Sequence, residues 1–171
     1  MPCATGTRES IEASKEHYTK QRELDRTDPV RILWRSLVAR MHHTDGGYLS
    51  LSDAEKRYVA VGLLDGEVYN GGFDQYFFNS ASSYYSDALL GLEGIGATTS
   101  LELLLKAKKI VFGFDSVPVD TSARRQISRP LSASQSSRLD HLDKLFWADP
   151  DNLSDRIEAF LRRHSLIRDV A

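Results

Sequence analysis

At 171 residues the chain has the length of one domain, enough to bury a core without disulfide or metal staples. Its 41% hydrophobic and 27% charged residues exclude disorder over the whole length, and its net charge of −2 excludes the general phosphate affinity of a basic nucleic-acid binder. The only cysteine is Cys3, so no intramolecular disulfide and no thiolate-built zinc site can form.

Residues 1–26 read as a polar extension whose first ten residues are expected to be loose. Glu12, Lys15, Glu16, Lys20 and Glu23 stand at helical pairing distances, so residues 9–24 can form a surface helix. The start is polar and charged, unlike a secretory signal, and no apolar run approaches the ~20 residues of a bilayer span. A cytoplasmic protein with no membrane association is expected, its all-helical domain occupying residues 27–171.

Within that domain, Val30, Leu33, Trp34, Leu37, Val38 and Met41 form one helical stripe, with Asp28 as N-cap and Pro29 in the first turn. The turn chemistry of residues 42–47 ends it. Ser52 and Glu55 spell a capping box, opening a helix that is apolar on most sides through Val68 and therefore central. Asn70-Gly71-Gly72 stops that helix, with glycine supplying a left-handed conformation. Residues 73–79 are a short aromatic helix plugging into the core. Residues 86–92 form another, ended by Gly94 or Gly96. Thr99 to Glu102 reads as a second capping box, opening a helix through Phe112. Residues 113–134, with Pro118, Pro130 and many serines, are a long loop holding a turn of helix near 122–127. Leu139, Leu142, Leu145 and Phe146 mark the next helix. Asp149-Pro150-Asp151 breaks it, and Leu153, Ile157, Phe160 and Leu161 mark the last. No segment alternates over six residues. The predicted fold class is all-α, a single compact multi-helix domain with no significant sheet.

No motif for phosphate, zinc or nucleophilic chemistry stands out. Gly91 to Gly96 lacks the spacing of a dinucleotide fingerprint, and helix ends explain its glycines better. His42 and His43 are adjacent, poor geometry for chelation. Asp140, His141 and Asp143 place acid beside imidazole, but His141 lies off the apolar stripe. Cys3 has no neighbour to activate it. No enzyme activity, metal or cofactor is expected.

One segment is distinctive: Glu67-Val68-Tyr69-Asn70-Gly71-Gly72-Phe73-Asp74-Gln75-Tyr76-Phe77-Phe78-Asn79-Ser80. Two readings are open. The glycines with Asn70 form a helix cap, while Gln75 or Asn79 satisfies backbone groups at the turn. Alternatively, Glu67, Asn70, Asp74 and Gln75 form a polar pocket for a small molecule or a reaction.

This segment, with Ala88-Leu89, Leu92, Ile95-Gly96-Ala97, the 101–107 helix and, more weakly, residues 139–160, resembles the signature of a bacterial family of domains of unknown function that includes an acidic DNA mimic. The likeness covers about residues 28–165. It implies an all-helical fold, a homodimer, no known cofactor or catalysis, and an acidic surface that occupies the DNA-binding face of a transcriptional regulator. The partner is then a protein, and the chain does not itself bind nucleic acid.

Charge distribution bears on that expectation. Residues 58–105 hold six carboxylates, Asp65, Glu67, Asp74, Asp87, Glu93 and Glu102, and no lysine or arginine. These six are the candidate partner-binding face. The flanks carry a slight basic excess, and a strong mimic would be more acidic overall, since duplex DNA carries one charge per ~1.7 Å of axis.

Overall fold

The computed structural model describes residues 6–128 and 131–168; Cys3, Pro130 and the start of the expected loose terminus lie outside them. Among the described residues there are eight α-helices, two short 3-10 helices and no strand, the all-α fold that the periodicity predicts.

Helix α1, Gly6–Thr27, runs along the surface, with every side chain from Glu12 to Lys20 exposed. Such a polar sequence has no apolar stripe with which to hold a core. Helix α2, Pro29–His43, begins where Asp28 Oδ1 accepts from the N–H groups of Val30 (2.8 Å) and Arg31 (3.4 Å). Its stripe buries Leu37 and packs Leu33, Trp34 and Met41 against the core.

Helix α3, Asp53–Phe78, is the centre of the molecule. Its capping box is reciprocal: Ser52 Oγ accepts from Glu55 N–H, and Glu55 Oε2 accepts from Ser52 N–H at 2.8 Å. Val59, Ala60, Val61, Leu64 and Val68 are all buried, so more than one face meets neighbours. Gly71 and Gly72 leave helical geometry, Gly72 at φ 79°, but the chain resumes its helix at once. The expected stop is therefore a sharp kink inside one element. Beyond it Phe73, Tyr76 and Phe77 fill the core, with edge-to-face contacts from Phe73 to Phe146 and from Phe77 to Phe112.

Helix α4, Tyr85–Gly94, crosses α3 closely. A Cβ on Gly91 would lie 2.5 Å from Val61 Cγ2 and 2.8 Å from Arg57 O. Gly91 is thus a contact glycine inside the helix, within the predicted 86–92 span. Gly96, at φ 72°, turns the chain into α5, Thr98–Phe112.

The capping box expected at Thr99 is absent. The N-cap position of α5 is Ala97, and its side chain makes no cap. Asp151, distant in sequence, caps the helix instead: its Oδ2 accepts from Ser100 N–H (2.7 Å) and Ser100 Oγ (2.8 Å). Burial raises the Asp151 pKa, but the donations from Ser100 and Thr99 outweigh it and hold the carboxyl below its usual range. The Thr-Ser-Leu-Glu pattern was local, and a buried carboxylate from another loop satisfied the same orphan N–H groups.

Helix α6, Thr121–Ser128, supplies the turn expected inside the long loop. Its Arg124 is fully buried, and the guanidinium donates to Pro118 O, Val119 O, Asn79 O and Thr121 Oγ1, tying the loop to the end of α3. Helices α7, Ala133–Trp147, and α8, Leu153–Arg163, close the core with Leu139, Leu142, Phe146, Phe160 and Leu161.

Candidate functional site

The distinctive segment is the kink of α3. Breaking a helix leaves backbone donors at the start of its second part without intrahelical partners. Phe73 N–H donates to Asp143 Oδ1 at 2.8 Å, and four residues along the same face of α7, Trp147 Nε1 donates to Val68 O at 2.8 Å. Asp143 is buried, and burial raises its pKa against the lowering effect of the Phe73 N–H. A Cβ on Gly72 would lie 2.3 Å from Asp143 Oδ2, so glycine is required there by contact as well as by positive φ.

Glu67 spans the same kink from the other side. Its Oε2 accepts from Gln75 Nε2 (2.7 Å) and Asn79 Nδ2 (2.9 Å), and the Gln75 side chain lies over Gly71. Glu67, Asn70, Gln75 and Asn79 line one open hollow of about 340 Å³. Asp74 is exposed and lines a different hollow with Phe78 and Ser128. Of the four groups considered as a polar pocket, Glu67, Asn70 and Gln75 therefore share one hollow and Asp74 does not join them. Asp140 and His141 are exposed while Asp143 is buried, so that trio does not converge either.

The six carboxylates of residues 58–105 enter separate surroundings. Asp87 accepts from Tyr48 OH at 2.7 Å, Glu102 pairs with Lys106 at 3.2 Å, Glu67 serves the kink, and Glu93 and Asp74 are exposed. Asp65 faces a groove of about 470 Å³ between α2, α3 and the start of α8. There it meets Asp149, which lies between α7 and α8, along with Asp28, Glu158 and the rings of Trp34, Tyr58 and Tyr69. Burial, then the Asp149 charge, pushes the Asp65 carboxyl up to about 6. Gly62 forms part of this wall: a Cβ there would sit 2.6 Å from Trp34 Cζ3.

The family model described as DMP19-like protein matches residues 49–164. The chain belongs to the DMP19-like family. No curated protein and no solved structure matches it. The DMP19-like region takes in the kink, its clasp on α7, and the Asp65 and Asp149 wall of the groove. The other wall, Asp28 and Trp34, lies before it.

The DMP19-like domain also carries a basic groove that the sequence reading missed. Lys106, Lys109, Arg138 and His141 line about 430 Å³ between α5 and α7. Between residues 106 and 141 basic and acidic groups are interleaved along the sequence, and helical packing gathers these four onto one groove. No described helix is long and apolar enough to cross a membrane.

Proposed function

We propose that the protein is a binding module of the DNA-mimic kind, which presents carboxylates to the basic, DNA-binding face of a transcriptional regulator. The observation that carries this reading is a stretch inside the family-matched region, residues 58–105, with six carboxylates and no lysine or arginine. Exposed Asp74 and Glu93 and half-buried Asp65 are the groups available to a partner. Glu67 and Asp87 are held by neighbours, which makes them scaffold for that surface. The reading places the protein in the cytoplasm as a homodimer, in which a second copy extends the acidic surface.

The test is competition. A DNA-binding protein crosslinked to the chain in its native cells is purified and loaded on a labelled duplex. Addition of the chain is expected to release the duplex, with an affinity that falls as salt rises. Asp74→Lys with Glu93→Lys is expected to weaken release. A duplex that stays bound at saturating protein overturns the reading. Light scattering across a concentration series reports the dimer.

A further inference from the structure

We propose that the groove between α2, α3 and the start of α8 receives a single guanidinium, the arginine side chain of a basic partner protein. The partner's basic character rests on the reading above; the groove and its chemistry do not. Three aromatic rings, Trp34, Tyr58 and Tyr69, and two carboxylates, Asp65 and Asp149, face one cavity large enough for a long side chain. No described lysine, arginine or histidine lines it.

The other two carboxylates there are engaged. Asp28 caps α2 and stands 3.7 Å from Arg31, and Glu158 pairs with Arg162 at 2.6 Å. Asp149 is oriented by Leu153 N–H, which donates to its Oδ1 at 2.9 Å. Asp65 accepts no hydrogen bond among the described residues. Asp65 is partly withdrawn from water and feels the Asp149 charge, and a cation between the two carboxylates relieves that repulsion.

The cation is organic. Among the described residues no cluster of three or more His, Cys, Asp or Glu could hold a metal ion. A planar, delocalised guanidinium suits the site better than ammonium, because it stacks on aromatic faces while donating to two carboxylates. Trp34 and Asp28 precede the family match, so α2 and its N-cap complete the groove.

The test titrates the full-length protein with a capped pentapeptide carrying one arginine among glycines, against the same peptide with citrulline or lysine. The readout is the indole N–H signal of Trp34 by NMR. The second tryptophan, Trp147, donates to Val68 O and is the internal reference. The arginine peptide is expected to shift Trp34 saturably and leave Trp147 in place. Citrulline is expected to bind roughly ten-fold more weakly, as is arginine to Asp65→Asn. Glu93→Gln is expected to change nothing. Trp34→Leu, followed through the Gly62 amide, is a second weakening variant, and cooperative melting transitions show that both variants fold. Equal binding of citrulline or lysine, or unaltered binding by Asp65→Asn, overturns the assignment. Peptide binding lost while DNA competition persists rejects the groove and keeps the DNA-mimic reading. The reverse result rejects that reading and keeps the groove.

Discussion

The backbone N–H of Phe73 donates to Asp143 Oδ1 across 2.8 Å, joining α3 to α7 at the point where α3 is broken. The carboxylate acts as an N-cap supplied from another helix. Trp147, one turn further along α7, donates to Val68 O on the other side of the break. The Asn-Gly-Gly-Phe segment and the start of the weaker likeness over residues 139–160 are thus the two sides of one joint.

Gly72→Ala is expected to lower stability by about 1–2 kcal/mol or more, from positive φ and the approach of the Asp143 carboxylate. Asp143→Ala is expected to cost roughly 1–3 kcal/mol by orphaning the Phe73 N–H, and Asp143→Asn less, because an acceptor oxygen remains. The losses in the Gly72→Ala, Asp143→Ala double variant should not add. Urea unfolding of the unmutated protein and the four variants measures this.

Gln75→Ala removes one of two amides that hold Glu67 across the kink. A loss of about 1 kcal/mol is expected. Amide exchange should quicken in residues 73–78 more than in residues 53–68, where the helix is held independently.

Asp65 and Asp151 should respond to pH in opposite directions. The folded pKa of Asp65, about 6, lies above the unfolded value of about 3.9, so the folded state binds more protons between them. Stability from this group is present in acid and lost as pH rises through 6. Asp65→Asn should therefore stabilise the protein at pH 7, by about 1 kcal/mol after solvent screening, and do little near pH 3. The folded pKa of Asp151 is lowered. Its contribution is present above the unfolded pKa and lost as pH falls through the folded one, so Asp151→Asn should destabilise at pH 7 and less in strong acid. Melting curves across pH distinguish the two.

Gly91 and Gly66 both lie inside helices, yet alanine should act oppositely at each. At Gly91 the methyl meets Val61 and the Arg57 carbonyl, and overpacking should cost about 1–3 kcal/mol. At Gly66 nothing lies within 4 Å of the new Cβ, and better helix propensity should stabilise by about 0.5–1 kcal/mol. Thermal melts report both.

Much of the fold was legible because its signals are local. The Asp28-Pro29 start, the Ser52–Glu55 box, the stripe of α2 and the positive φ of Gly72 each depend on residues within a turn or two. Long-range partners were not legible. Thr99 to Glu102 spells a cap, yet Asp151 took its place. Arg124 sits in a polar loop segment, yet is buried on backbone carbonyls. The candidate acidic set follows the chain, whereas Asp65 meets Asp149 across the fold and Glu102 meets Lys106 on its own helix.

By itself the sequence determined the helices, the place of the kink and the family likeness, because hydrophobic period, capping and glycine conformation act over a few residues. Only the tertiary structure decided which charges share a surface. Helix packing brings Asp65 to Asp149 and Trp34 while turning Asp74 elsewhere, and Coulomb energy depends on separation in space and on burial, neither of which follows position in the chain.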